Sequence, residues 1–225
     1  MLRDLLQRLL PPRCAACSLA AGDPLCAGCE ADFFPASRAR CSRCALPLPS
    51  PEAGICGRCL SDPPHFESTT ALADYVPPID GMVTALKFSA RLDLAIVFGR
   101  LLARRAPAAA DAIVAAVPLA FERVAERGFN QSQLIARAFC NARSVPLATG
   151  PLRRIRHTLP QQSLKFDERH RNVRGAFEVT GDVRGRTLLI VDDVMTTGST
   201  LNEIARILRQ AGAARVDNLV VARTP

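Results

Sequence analysis

Residues Leu188-Leu-Ile-Val-Asp-Asp-Val-Met-Thr-Thr-Gly-Ser-Thr200 constrain the fold more than any other stretch of the chain. Four consecutive apolar residues, Leu188 to Val191, read as a strand buried on both faces, the form taken in parallel sheets. The apolar run stops at two adjacent carboxylates, Asp192 and Asp193. A hydroxyl-rich loop follows. The apolar spacing of Leu201, Ile204, Ala205 and Leu208 then predicts a helix, with Ser199 or Thr200 placed to cap it. Backbone N–H groups at such a helix start favour a phosphate dianion. Thr196, Thr197, Ser199 and Thr200 add O–H donors, and Gly198 allows close backbone approach. Carboxylates repel phosphate, so the aspartates suit ribose hydroxyls, and the whole describes a site for a phosphorylated sugar.

The pattern resembles the signature of type I phosphoribosyltransferases, which bind 5-phosphoribosyl-1-pyrophosphate (PRPP). Every position matches, from the four apolar residues and the acidic pair to the closing hydroxyl, with Met195 at the first free position. The alternative is an ordinary strand–turn–helix that happens to carry two aspartates.

Eight of the nine cysteines fall in residues 14–59 as four C-x-x-C pairs: Cys14/Cys17, Cys26/Cys29, Cys41/Cys44 and Cys56/Cys59. Two such turns complete a tetrahedral zinc site, so eight thiolates suffice for two structural Zn2+ ions. Segments this short bury little core, and metal binding would supply much of their folding free energy. Sequential pairing gives two self-contained ribbons with short loops, and crossed pairing is the alternative. Disulfides are disfavoured in a reducing compartment, and separated C-x-x-C pairs suit zinc better than an iron–sulfur cluster. Cys140, alone on an apolar helix, reads as a small buried hydrophobe.

Of the net charge of +8, residues 121–175 contribute most, with 11 basic and 4 acidic side chains. A polyanionic partner or a solvated arginine-rich surface would each explain the excess. The leucine-rich residues 1–10 read as a short amphipathic helix, too short and polar for a signal peptide or membrane span, and a cytoplasmic location is expected.

A boundary near Ser61–Pro64 divides a cysteine-rich module, residues 1–63, from an α/β domain, residues 64–225. In the latter, strands are expected at 67–75, 112–117, 176–180, 188–191 and 216–222. Helices are expected at 79–89, 92–105 and 131–142, and residues 150–172 read as a long loop. Alternating strands and helices imply a parallel sheet covered on both faces, with ligands beyond the carboxyl ends of its strands.

Arg127-Gly-Phe-Asn-Gln-Ser132, and Thr158-Leu-Pro-Gln-Gln-Ser-Leu164 followed by Arg169, Asn172 and Ala176-Phe177, resemble the ComF family. The resemblance covers nearly the whole chain. It implies an α/β fold, a type I phosphoribosyltransferase-like parallel sheet flanked by helices, with a small N-terminal double zinc-ribbon module. It also implies that Asp192 and Asp193 hold the ribose of PRPP and take the catalytic positions, while Thr196, Thr197, Gly198, Ser199 and Thr200 hold its 5-phosphate. Val117-Pro118-Leu119 would form the pyrophosphate loop. Arg127, Arg153, Arg154 and Arg156 are candidates for contacts to pyrophosphate or nucleic acid. Asn130 and Gln131 either cap a helix or face the site, and Lys87 either reaches a phosphate or is solvated. His157 and His170 read as surface residues of a basic loop, and Phe129 and Phe166 as core or lid residues or as stacking platforms.

The family link implies a role in DNA uptake and natural transformation, with PRPP, single-stranded DNA and other uptake proteins as partners and Mg2+ accompanying PRPP. A transfer reaction would be attack of a nitrogen nucleophile on C1 of PRPP with loss of pyrophosphate. The competing readings are a phosphoribosyltransferase of nucleotide or base metabolism with no DNA role, and a zinc-ribbon adaptor.

Overall fold

A computed structural model of the chain describes residues 13–108, 111–148, 150–156 and 173–225. The expected helix at residues 1–10 lies outside the described residues, as do His157, Thr158–Leu164, Phe166, Arg169, His170 and Asn172.

Four strands form one parallel sheet: β1 (Ser68–Asp74), β2 (Ile113–Ala116), β5 (Thr187–Met195) and β6 (Arg215–Arg223), in the spatial order β1-β6-β5-β2. The central pair runs in register from Thr187 against Arg215 to Met195 against Arg223. Leu188, Leu189, Ile190 and Val191 are all at most 2% exposed, which explains the unbroken apolar run. Alternation along the strands then feeds two cores. Leu72, Val114, Leu189, Val191, Leu219 and Val221 meet one set of helices: α3 (Ile79–Phe88), α4 (Asp93–Arg105) and α6 (Gln131–Arg143). On the other face Ala115, Leu188, Ile190, Val216 and Val220 meet α7 (Ser199–Gln210).

The expected strand at 176–180 exists as β4 (Phe177–Val179), but it stands outside the parallel sheet. It pairs antiparallel with β3 (Leu152–Arg154), part of the stretch expected to be loop. Three residues are too few to show a period of two, so the hairpin leaves no sequence pattern. A further helix, α5 (Phe121–Arg127), was not expected either; it buries none of its residues and so carries no apolar stripe. Its end is marked by Gly128 at φ +81, the left-handed position that closes helices.

The cysteine-rich segment packs as two small units, with helix α1 (Ala27–Phe33) in the first and α2 (Gly57–Ser61) in the second. The first sits against α4: Phe34 meets Phe98 edge-on at 6.3 Å between ring centroids, and Arg105 donates to the carbonyls of Leu72 and Phe34. The second sits against the sheet's other core, where Cys41, Cys44, Cys56 and Cys59 join Phe66, Met195, Leu201 and Ile204. Arg40 pairs with the buried Asp74 at 2.8 Å and ties that unit to the end of β1.

Helices α4 and α6 cross at Gly99. A Cβ there would lie 2.5 Å from Ala138 Cβ and 2.7 Å from both the Ile135 carbonyl oxygen and the Phe139 nitrogen. Gly99→Ala is therefore expected to destabilise the chain by about 1–3 kcal/mol through overpacking, despite alanine's better helix propensity. Urea unfolding checks this; a neutral or stabilising effect would mean the helices separate freely.

Candidate functional site

The C-terminal end of β5 carries the acidic pair. The strand does not stop at Asp192 but continues to Met195, because its pairing with β6 persists to Arg223. Asp193 is 5% exposed and Asp192 partly buried. Each is answered from another element. Lys87, in the last turn of α3, places Nζ 2.5 Å from Asp193 Oδ2. Lys87 is thus neither free for a phosphate nor solvated in this state. Ser132 Oγ donates to Asp192 Oδ1 at 2.8 Å, and Gln131 Nε2 to Asp193 Oδ2 at 3.4 Å, both from the first turn of α6.

That turn is fixed by Asn130. Its Oδ1 accepts from the Ser132 and Gln133 amides, and its Nδ2 donates to the Val117 carbonyl at 3.0 Å. Asn130 therefore caps α6 and also anchors the loop after β2. Burial, reinforced by the neighbouring Asp193 charge, pushes the Asp192 carboxyl up from 3.8 to about 7; the Ser132 bond and Lys87 act against the rise.

After Met195 the chain enters α7 without the expected hydroxyl cap. Gly198 occupies the N-cap at φ +84, a conformation glycine adopts without strain, and no side chain caps the helix. Thr197 Oγ1 instead accepts from the Ser199 amide at 3.3 Å and shares a hydrogen with Ser199 Oγ at 2.7 Å. Thr196 and Thr200 face a cleft of about 280 Å³, whereas Thr197 and Gly198 line a separate hollow behind the loop.

The front cleft is lined by Asp192, Asp193, Thr196 and Thr200, by Val117, Pro118 and Leu119, and by the cations Lys87, Arg123, Arg127 and Arg154. Four cations against two carboxylates give a cationic cleft suited to a polyanion. Arg127 lies over the exposed Phe88 ring at 5.1 Å, and Arg154 over Phe177 at 5.3 Å. Arg153 and Arg156 do not join them: Arg153 pairs with Glu178 at 2.7 Å, and Arg156 donates to the Arg174 carbonyl at 2.7 Å. Adjacent residues of β3 point to opposite sides, so only Arg154 turns inward. Sequence reasoning assigned no role to Ser132, Arg123 or Tyr75. The first lay within a segment already singled out, and nothing in the local pattern marked the other two.

The cysteines gather sequentially. Cys14, Cys17, Cys26 and Cys29 form one group and Cys41, Cys44, Cys56 and Cys59 another, the sulfurs within each lying within 4.8 Å of one another. Cys17 and Cys26 sulfurs are 3.9 Å apart, and Cys44 and Cys56 sulfurs 3.6 Å. Tetrahedral zinc with Zn–S bonds of about 2.3 Å requires sulfurs about 3.8 Å apart, so both tetrads fit the ion. In both, the amide of the third cysteine donates to the sulfur of the first: Cys26 to Cys14 at 3.4 Å, and Cys56 to Cys41 at 3.3 Å. Burial opposes ionisation of Cys14 and Cys41, but such backbone donors outweigh it and lower the two thiols to about 6 and about 7. Burial, with the hydrogen bonds and charge of the neighbouring cysteines, raises Cys29 and Cys59 well above the usual thiol range. Cys140 stands apart, 2% exposed in the core.

Residues 92–225 match the phosphoribosyl transferase domain family, and residues 5–60 the double zinc ribbon domain. The DNA utilization protein YhgH of Escherichia coli K12 is 39% identical over 192 residues, spanning 82% of this chain and 84% of the relative. The Salmonella typhimurium protein of the same name is 38% identical over the same shares. Competence protein F of Haemophilus influenzae is 30% identical over 212 residues, spanning 88% of this chain and 90% of its own. The chain belongs to the ComF family. The ComF-family chain has a type I phosphoribosyltransferase fold whose cysteine tetrads form a double zinc ribbon. Among its described residues no helix is long and apolar enough to cross a membrane.

Two measurements follow. Metal analysis of the ComF-family chain is expected to return about two zinc ions per molecule, and one ion would contradict two complete tetrads. Asp192→Asn is expected to stabilise the chain at and above pH 7. A carboxyl raised from 3.8 to about 7 by folding contributes stability below 3.8 that is lost as pH rises through 7, so the gain from Asn should shrink toward acid. Urea unfolding as a function of pH checks it; equal effects across the range would refute the assignment.

Proposed function

We propose that the chain binds PRPP with Mg2+ in the cationic cleft at the end of β5 and acts in DNA uptake, handling single-stranded DNA in the cytoplasm. The observation that supports the reading best is the placement of Asp192 and Asp193 beside the 196–200 loop, in a cleft lined by Lys87, Arg123, Arg127 and Arg154. In this reading Asp192 and Asp193 accept hydrogen bonds from the ribose hydroxyls and hold the sugar in register. The amides and hydroxyls of Thr196, Thr197, Gly198, Ser199 and Thr200 take the 5-phosphate. The pyrophosphate lies along Val117–Leu119, within reach of Arg127 and Arg154. Asp192 and Asp193 are hard oxygen donors that could help hold a Mg2+ ion accompanying PRPP, which would supply charge neutralisation for the pyrophosphate. Lys87 would exchange its bond to Asp193 for one to the ligand, releasing a carboxylate that the ribose then satisfies.

The DNA role draws on the relatives' names and on the excess of basic side chains in residues 121–175. Arg153 and Arg156, outside the cleft, are assigned to contacts with the nucleic-acid backbone. In this reading the metal module ends at residue 63 and packs against the domain that carries the site.

Calorimetric titration with PRPP and Mg2+ is expected to show binding that Asp192→Asn with Asp193→Asn abolishes. Affinity should weaken as pH falls below about 7, since protonated Asp192 is a weaker, uncharged acceptor for the ribose hydroxyls. Absence of heat with the native chain, or undiminished heat with the double variant, would sink the PRPP assignment. Single-stranded DNA affinity should fall linearly with salt on logarithmic axes, by about 0.7 per phosphate engaged. Weak, salt-independent binding would remove the DNA part alone.

A further inference from the structure

Arg223 ends the last strand and is 3% exposed, yet it forms no ion pair among the described residues. Its guanidinium is spent on carbonyls. Nε donates to the Cys44 carbonyl at 2.9 Å, and Nη1 donates to the carbonyls of Met195, at 3.2 Å, Thr196 and Thr224. One buried cation therefore joins a zinc-ligand residue of the second ribbon to the first two peptides of the 196–200 loop. A second link runs parallel to it. Arg58, between the ligands Cys56 and Cys59, donates through Nη2 to the Thr197 carbonyl at 3.2 Å. Cys44, Arg58, Cys59, Thr197 and Gly198 line one hollow of about 230 Å³, directly behind the loop.

Three consecutive carbonyls are thus held from behind the loop. That of Thr197 is held by Arg58 of the ribbon, and those of Met195 and Thr196 by Arg223 of β6, itself bonded to the ribbon's Cys44. The Met195 carbonyl also accepts from the Thr224 amide at 3.0 Å. In a trans peptide the C=O and the following N–H point in opposite directions. Fixing these carbonyls rearward aims the amides of Thr196, Thr197 and Gly198 away from the ribbon. Amides need such aiming to bind an anion, because peptide dipoles that must reorient forfeit much of the electrostatic gain. A guanidinium buried at this position costs desolvation, and four carbonyl acceptors offset that cost.

We infer that the second zinc ribbon is the rear support of the phosphate loop. Arg223 and Arg58 are positioning residues that make anion binding at residues 196–200 depend on the metal held by Cys41, Cys44, Cys56 and Cys59. Among the described residues the first ribbon has no such link: its contacts go to α4 through Phe34, Arg104 and Arg105. The ligand in this inference rests on the PRPP reading above, whereas the ordering of the loop does not.

The test combines amide hydrogen exchange over residues 195–200 in the ligand-free, zinc-loaded chain with PRPP–Mg2+ calorimetry and metal analysis. Arg223→Met is expected to keep both zinc ions, speed exchange of the loop amides about tenfold or more and weaken PRPP about tenfold. Arg58→Ala should do the same at about threefold, and Cys59→Ser should reproduce the faster loop exchange. Arg143→Met is the control. It removes a comparable guanidinium, bonded to the Ala103 and Ala106 carbonyls between α4 and α6, and should lower stability without altering the loop. Native-like exchange and affinity in the zinc-replete Arg223 variant would overturn the inference. So would an equal effect of the Arg143 variant, since that would reduce the link to general stability. If Arg223→Met does not fold, Arg58→Ala decides in its place. If the native chain takes up no PRPP, the binding reading fails alone and loop exchange still decides this one.

Discussion

Two neighbouring carboxylates at the end of a central strand repel each other and cannot both be buried as ions without help, and the surroundings of Asp192 and Asp193 are built as that help. Lys87 comes from α3, Ser132 and Gln131 from α6, and Arg127 and Arg154 complete a cationic rim. Even so, the compensation is incomplete, and Asp192 remains raised to about 7. A chain selected for stability alone would put an amide or an apolar residue there. An uncompensated acidic pair in a concave, cationic site is the pattern of a functional site rather than of a stabilising one, and the proposed PRPP reading rests on it.

The same logic of partners supplied from outside governs the cysteine tetrads. The backbone donors to Cys14 and Cys41 favour the thiolate, the form in which sulfur binds a metal ion. The second cysteine tetrad, the 196–200 loop and the acidic pair lie in sequence through the molecule, joined by Arg58 and Arg223 on one side and by β5 on the other. The site is a chain of electrostatic debts, each settled by the next group.

Much of this was legible before any coordinates. Burial on both faces dictates an unbroken apolar strand, so β5 and its neighbours could be read from residue type alone, and the C-x-x-C spacing is forced by metal geometry. The acidic pair and hydroxyl loop were legible because their chemistry is local. The hairpin of β3 and β4 was not, since three-residue strands show no period; nor was α5, which buries nothing. Gly198 took the cap from Ser199 and Thr200 because a left-handed residue was needed to turn the chain out of an extended strand. Arg223 left no trace in the pattern at all. Its partners lie on the loop and on a ribbon 179 residues earlier, and long-range carbonyl bonding has no sequence period.

The two ribbons are near repeats. Cys14 and Cys17 recur 27 positions later as Cys41 and Cys44, and Cys26 and Cys29 recur 30 later as Cys56 and Cys59. The amides of Cys14 and Cys41 even make matching 2.8 Å bonds, to the Leu19 and Leu46 carbonyls. Yet the copies are shielded unequally, for Cys17 is exposed and Cys26 half-buried while all four thiols of the second copy are buried. Exchange and oxidation begin at accessible sulfur, so a chelator or an oxidant reaches the first copy sooner, while the sulfurs of the second are closed off by the domain they pack against.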